Sequence, residues 1–372
     1  MKKKILVLHV AEAAGGVERY LETLFKYNDE EIENILVCSQ NYDYKKFNSL
    51  AKRVIVLKMS HEIDPLSDIK VEINLRKIIK RLKPDIVYAH SSKAGALARI
   101  ANLGLKNKLI YNPHGWAFNM QQSIEKKEMY KWVEKISAHF CDKIVCISNA
   151  EKKSALKEKI CKVNKLKVIR NGIDFDEFSK EFNQSVNIPV PKNSYVVGMV
   201  GRLSKQKAPD IFVKAAKLIK KEIPNAFFLM VGDGELRSQI EKQIKELELE
   251  ESFYITGWVD NPAIYMKRMN VGMLLSRWEG FGLVLPEYML AGVPIVATKV
   301  DAIPEIIKNN ENGLLVASED YQEASKSVVK LFNKSNLRKK LINNARVCVK
   351  AEFNGSRVQK ESKDLYCNLL KL

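Results

Sequence analysis

Apolar positions along the chain fall into two kinds of stretch: short unbroken runs, and longer segments in which they recur every three or four residues. In the first half the unbroken runs are KILVLHV (4 to 10), NILVCS (34 to 39), RVIVLKM (53 to 59), DIVYAHS (85 to 91), KLIYNPH (108 to 114), KIVCIS (143 to 148) and LKVIRNG (166 to 172). Runs of this length and continuity suit strands covered on both faces, as parallel sheets require. Between them the period changes. VEINLRKIIKRLK sets Ile73, Ile78, Ile79 and Leu82 on one face and basic residues on the other, and SKAGALARIANLGL follows the next run in the same manner. Strand and helix in alternation predict a doubly wound parallel sheet.

The periodicity lapses over EFNQSVNIPVPKNS (181 to 194), which carries Pro189 and Pro191 and reads as a linker. A second alternating series follows, with runs at YVVGMVG (195 to 201), AFFLMVGDG (226 to 234), SFYITGWV (252 to 259), VGMLLS (271 to 276), VPIVAT (293 to 298) and NGLLVA (312 to 317). The expected organisation is α/β: two Rossmann-like domains, 1–180 and 195–350, with a cleft between them and a closing helix at 351–372. At 372 residues and 46% hydrophobic, the chain has material for two cores.

Composition adds a compartment and a surface. The six cysteines form no C-x-x-C pair and no zinc spacing, which fits reduced thiols in the cytoplasm. MKKKILVLHVAEAAGG imitates a secretory leader, but its apolar run is short, interrupted by His9 and continued by an amphipathic VERYLETLF, so a first strand and helix fit better. No run of about 18 apolar residues is available to span a bilayer. Of the net charge of +18, residues 1–175 hold 33 Lys+Arg against 20 Asp+Glu, or +13. An anionic membrane, an acidic substrate or nucleic acid would each suit that half, as would a merely lysine-rich source.

The chemistry concentrates in VGMLLSRWEGFGLVLPEYMLAGVPIVAT (271 to 298). Glu279 lies in the turn after a strand, and Glu287 eight positions on, just past Pro286 at a helix start. Gly280 and Gly282 strip side chains from the turn, so backbone N–H groups near a helix N-terminus can approach an anionic or hydroxyl-rich ligand. Taken alone, Glu287 also fits the preference for acidic residues in a first helical turn. Gly201-Arg202-Leu203 with Lys207 closes the first strand of the second domain, where a planar fork and a compact charge can hold a diphosphate. Gly15-Gly16 and Glu18 follow the first strand, in what could equally be a plain turn. His114-Gly115 follows the fifth, where the histidine could also be a satisfied turn residue.

The arrangement EGFGLVLPE, the GRL-plus-Lys207 stretch and their order along nearly the whole chain resemble retaining GT-B glycosyltransferases of family 4. Where that pattern has Lys-Gly, this chain has Lys207-Ala208. The resemblance implies transfer of a sugar from a nucleotide-diphosphate sugar, UDP-linked, with retention of configuration, and it implies a last helix that crosses back onto the first domain. It assigns Arg202 and Lys207 to the donor diphosphate, Glu279 with Gly280, Phe281, Gly282 and Leu283 to the sugar, and Glu287 to the ribose. Gly15 and Gly16 would lie against the diphosphate, with Glu18 near the acceptor, and His114 would hydrogen-bond at the reaction centre.

HSSKAGALAR (90 to 99) resembles a segment of bacterial polysaccharide transferases whose saccharide acceptor rides on a polyprenyl diphosphate, in capsule, exopolysaccharide or O-antigen synthesis. Lys93 and Arg99 would then meet acceptor phosphate, whereas a capped helix starting at Ser91 or Ser92 needs no such role. Asp174-Phe175-Asp176 spells D-x-D but falls in an ordinary domain-end segment, and no essential metal is expected. Gly232-Asp233-Gly234 lacks the third glycine of a dinucleotide fingerprint. In WVEKISAHF, Trp132, Val133, Ile136 and Phe140 have core-packing spacing, while Lys126, Lys127 and Lys131 offer a peripheral membrane contact instead. Rival readings are a GT-B nucleotide-sugar epimerase and a basic nucleic-acid-binding module. No RNP-like aromatic pattern or helix-turn-helix supports the latter, so no nucleic-acid partner is expected.

Overall fold

A computed structural model of the chain describes residues 4–13, 15–60, 64–185 and 187–372. The chain divides into two compact units, Met1–Gly172 with Gly355–Leu372, and Ile173–Asn354. The divide therefore falls before the helix Phe175–Asn183 rather than at 180, and the closing helix starts at Gly355, after the helix Ser335–Glu352 has ended.

The first unit is one parallel sheet of seven strands: β1 (Ile5–Ala11), β2 (Ile32–Ser39), β3 (Arg53–Leu57), β4 (Ile86–His90), β5 (Lys108–Asn112), β6 (Lys143–Cys146) and β7 (Leu166–Val168), in the order β3-β2-β1-β4-β5-β6-β7. Each expected run carries its strand, though most end two to four residues early, because the last residues bend into the loops of the carboxyl edge. The helix Pro65–Leu82 buries Val71, Leu75, Ile78 and Ile79, whereas Ile73 is exposed. A true 3.6-residue period carries the stripe through 71, 75 and 78 and leaves 73 off it.

The helix Gly355–Leu370 belongs to this unit. Val358, Leu365 and Tyr366 join Tyr20, Leu21 and Leu24 over one face of the sheet. Gly355 permits the approach, since a Cβ there would meet Thr23 Cγ2 at 2.4 Å. Polar contacts fix its register: Lys363 reaches Asp29 and Glu31 at 2.8 and 2.6 Å, and Arg357 donates to the carbonyls of Arg170 and Asn171.

The second unit is a parallel sheet of β8 (Tyr195–Val200), β9 (Ala226–Val231), β10 (Phe253–Ile255), β11 (Val271–Leu274), β12 (Ile295–Thr298) and β13 (Leu314–Val316), ordered β10-β9-β8-β11-β12-β13. Its core packs Phe212, Ala216 and Ile219 of the helix Pro209–Glu222 on Phe228, Met230 and Met273 of the sheet. In both units the strand order turns between the first and fourth strands. Ligands of open α/β sheets bind outside the carboxyl ends at that turning point.

Candidate functional site

In the second unit the turning point lies between β8 and β11, and the structure joins the two loops there. Lys207 Nζ donates to Glu279 Oε2 at 2.5 Å, and Ser276 Oγ donates to the same oxygen at 3.0 Å. Glu279 is 6% exposed. A buried carboxylate is tolerated because a cation and a hydroxyl meet it. Its backbone N–H donates to Asp301 Oδ2 at 2.8 Å, where burial raises the Asp301 pKa. Gly282 sits at φ 89°, and a Cβ there would lie 3.3 Å from Glu279 Cγ, so a glycine lets the turn close over the carboxylate.

The loop then enters the helix Val284–Ala291, which starts two residues before Pro286 and holds Glu287, also 6% exposed, in its first turn. Phe281 turns inward, edge-on to Phe353, which leaves the backbone of Gly280–Leu283 and the half-buried Leu283 to face a ligand. Arg202 is exposed and paired with Glu235 at 3.0 Å, a screened contact that a ligand anion can displace. Ala208 is buried with φ 52°, the left-handed backbone a glycine would adopt without strain. The departure from Lys-Gly therefore leaves the backbone path unchanged.

Arg277 is a residue the sequence reading missed. Its guanidinium grips Asp210 through Nη1 and Nη2 at 3.0 and 2.6 Å, donates to Glu319 at 2.5 Å and caps the Lys205 carbonyl. The Asp210 bonds, chiefly, raise its pKa. With Gln206 donating to the Trp278 carbonyl, this clasp holds the loop carrying Lys207 against the loop carrying Glu279. Its one sequence signal was its place two residues before Glu279.

In the first unit the turning point lies between β1 and β4. Gly15, at φ 75°, and Gly16 are exposed, with open space where side chains would stand. Glu18 Oε1 accepts from the Asp43 N–H at 2.9 Å. Buried Glu12 accepts from Ser91 Oγ at 3.0 Å, and Ser91 holds φ 86° as N-cap of the helix Ser92–Ala101. His114, half-buried at φ 51°, ends the β5 loop. Its N–H donates to Asn112 Oδ1, and Gly115 N–H donates to Glu151 Oε1. Burial pushes Glu151 up to about 7 against that bond and a second from Ile147.

Behind His114 runs a line of imidazoles. His90 Nδ1 lies 3.0 Å from His114 Nε2, His9 Nδ1 lies 3.0 Å from His90 Nε2, and His9 Nε2 lies 3.1 Å from Asn34 Oδ1. Burial lowers His9 and His114 to about 3 and His90 well below its ordinary value. The sequence reading singled out His114 alone.

Arg99 is a correction. Its guanidinium is 3% exposed, bound to Glu134 at 3.2 and 3.3 Å, to the Gly95 carbonyl, and stacked over Tyr111 at 4.2 Å, so it holds the helix to the sheet and cannot meet acceptor phosphate. Lys93 is spent as well, on Asp68 at 2.9 Å. Asp174 caps the helix Phe175–Asn183 by accepting from Asp176 and Glu177 N–H groups. Gly232 and Gly234 are spacing devices, since a Cβ at either would strike the carbonyl of Gly201 or Leu203. Trp132 (65%), Phe140 (50%) and Ile136 (41%) are exposed rather than core. Among the described residues no three His, Cys, Asp or Glu are grouped to hold a metal, and no helix is long and apolar enough to cross a membrane.

Two parallel α/β sheets, each with its polar residues gathered at the turning point, define a pair of Rossmann-like domains. Residues 14–177 match Glycosyltransferase Family 4 and residues 180–347 match Glycosyl transferases group 1. Over 99% of this chain and 98% of its own, the Escherichia coli UDP-Gal:alpha-D-GlcNAc-diphosphoundecaprenol alpha-1,3-galactosyltransferase is 29% identical. An uncharacterized 41.2 kDa protein in the cps region of Klebsiella pneumoniae is 32% identical over 84% of this chain and 86% of its own. Anabaena Alr3699/HepE, solved in complex with UDP and glucose, superposes with a TM-score of 0.82 at 22% identity, over 99% of this chain and 100% of that one, a likeness of fold. The chain belongs to the family 4 glycosyltransferases, of GT-B fold.

Proposed function

We propose that this glycosyltransferase moves a hexose from a UDP-linked sugar, with retention of configuration, onto a saccharide carried by a polyprenyl diphosphate, in assembly of a bacterial surface polysaccharide. The observation that carries the reading is the Lys207–Glu279–Ser276 cluster at the turning point of the second sheet. It sets a cation for a leaving diphosphate beside a carboxylate able to accept sugar hydroxyls. Lys207 and Arg202 offset charge as it builds on the diphosphate. Glu279 and the backbone of Gly280–Leu283 hold the sugar, and Glu287 accepts from the ribose hydroxyls. His114 hydrogen-bonds the transferred sugar. With two cations assigned to the diphosphate, transfer needs no metal.

The acceptor lipid places the enzyme on the cytoplasmic face of the membrane. The helix Ile124–Ser137 suits that surface: Ile124, Trp132 and Ile136 on it, and Phe140 in the turn that follows, are exposed, with Lys126, Lys127 and Lys135 nearby in sequence for anionic headgroups.

A panel of UDP-sugars tests the reading. One of them should raise the unfolding temperature and be consumed only when a diphosphate-linked saccharide is present, in EDTA as well as without it. Conversion of the donor without acceptor would mean an epimerase. Steep salt-dependent binding of RNA or DNA would mean a nucleic-acid module. For the surface, the protein should sediment with phosphatidylglycerol vesicles at low salt and be released by Trp132→Glu, and failure to sediment would remove the membrane from the proposal.

A further inference from the structure

The imidazole line in the first unit has a direction, and the direction is set at the end remote from His114. Residues paired across parallel strands share a face, and each neighbouring member of the line stands two residues further along. Asn34 pairs with Val7, two residues before His9; Ala11, two after His9, pairs with His90; His90 pairs with Asn112, two before His114. The line thus climbs diagonally from β2 through β1 and β4 to the carboxyl edge of β5, on the face covered by Tyr20 and Tyr366.

Asn28 Nδ2 donates to the Ile32 carbonyl at 3.0 Å, an oxygen that can only accept. Asn28 Oδ1 is thereby turned to Asn34, whose Nδ2 donates to it at 3.0 Å. Asn34 Oδ1 is then left to accept from His9 Nε2–H. A neutral imidazole has one donor and one acceptor, so His9 Nδ1 accepts from His90 Nε2–H, and His90 Nδ1 accepts from His114 Nε2–H. Burial keeps all three rings neutral, and a proton on one would set a cation against the next.

We propose that this line is a tautomer lock: Asn34, His9 and His90 are positioning residues that hold His114 as the neutral Nε2–H form, with Nδ1 bare. Resting on the role given to His114 above, the consequence is that His114 accepts a hydrogen bond from a substrate hydroxyl and does not protonate the leaving group. Substitutions far from the ligand should then act through which nitrogen of His114 carries the proton.

The test uses the full chain labelled with 15N-histidine and long-range proton–nitrogen correlation, with the five histidines assigned by substitution. His114 should show a protonated Nε2 and a bare Nδ1 across neutral pH. Asn34→Leu removes the acceptor for His9 and should mix the tautomers, lowering kcat severalfold but by less than the roughly tenfold loss of one neutral hydrogen bond, with little change in donor KM. His9→Gln with Asn34 intact, whose amide can donate to Asn34 and accept from His90, should preserve both readouts. A His114 protonated on Nδ1 in the wild type overturns the proposal, as does a folded Asn34→Leu that keeps one tautomer. If Asn34→Leu does not fold, the wild-type spectrum still decides. An active His114→Ala would remove His114 from the reaction and leave the tautomer measurement standing, so the two failures are distinguishable.

Discussion

The carboxyl edges of the two sheets share one topology and carry opposite chemistry. Between β1 and β4 the first unit gathers imidazoles held neutral by burial, with Glu12 and Glu151 turned to a hydroxyl and to backbone N–H groups. Between β8 and β11 the second gathers full charges in pairs, Lys207 with Glu279 and Arg277 with Asp210. The difference follows from what each group costs to bury. An imidazole can shed its proton and remain a donor and an acceptor, whereas a lysine and a glutamate stay bearable in a dry site only together. The fold supplies an edge, and the side chains decide whether that edge balances a ligand's charge or orients its hydroxyls.

If that division is real, the largest effects come from the charged edge. Lys207→Ala and Glu279→Ala should each lower kcat by about 10²–10³-fold or more, the range for losing a preorganised charge or donor at developing charge. His114→Ala should cost about tenfold, the worth of one neutral hydrogen bond. Steady-state transfer assays on variants with wild-type circular dichroism measure both, and equal losses at the two edges would break the comparison.

Charge in the first unit belongs to structure instead. Replacing Arg99 by Met leaves Glu134 buried without its cation and should cost about 3–5 kcal/mol in denaturant unfolding. Acceptor KM should not move in protein that remains folded, and a raised KM at unchanged stability would restore Arg99 to the acceptor site.

The thirteen strands among the described residues were legible because a strand buried on both faces must be apolar throughout, and a run such as FFLMV has few other uses; the half-exposed edge strands β3 and β10 keep only part of that pattern. Glu279 was legible for a related reason, since a glycine-rich turn with a carboxylate has little structural motive, whereas Glu287 and Lys207 stood out through the family resemblance. Arg99 misled because its segment shows a cation on a helix that follows a strand and says nothing of Glu134, 35 residues away. Trp132 and Ile136 misled in the opposite sense, since helical spacing records that apolar residues share a face and not what covers it. The histidine line was invisible because its members come from β2, β1, β4 and the loop after β5, and only the register brings them together.

Acid should separate the two units. His9 and His114 titrate near 3 when folded and near 6.5 when unfolded, so between those values the unfolded chain binds more protons and stability rises with pH. Their contribution is whole above about pH 6.5 and is lost as pH falls toward 3, at up to about 1.4 kcal/mol per pH unit for the fully buried His9 and less for the half-buried His114. Hydrogen exchange resolved by segment should show β1, β4 and β5 losing protection in mild acid before β8 and β11 do. Simultaneous loss would mean that the neutral imidazoles are not what limits the first unit.

The smallest effect sharpens the account of the charged edge. Ala208 holds a left-handed backbone at φ 52°, and glycine would relieve about 1–2 kcal/mol of strain. Against that, glycine adds about 0.4–1 kcal/mol of unfolded-state entropy, and the lost buried methyl costs about 0.8 kcal/mol. The terms nearly cancel, so Ala208→Gly should leave stability within about 1 kcal/mol of the wild type. It should also leave kcat unchanged, because Lys207 is held by Glu279 and by the Arg277 clasp rather than by the residue that follows it. A large change in kcat at constant stability would move control of the diphosphate site from that ion pair to the backbone of the loop.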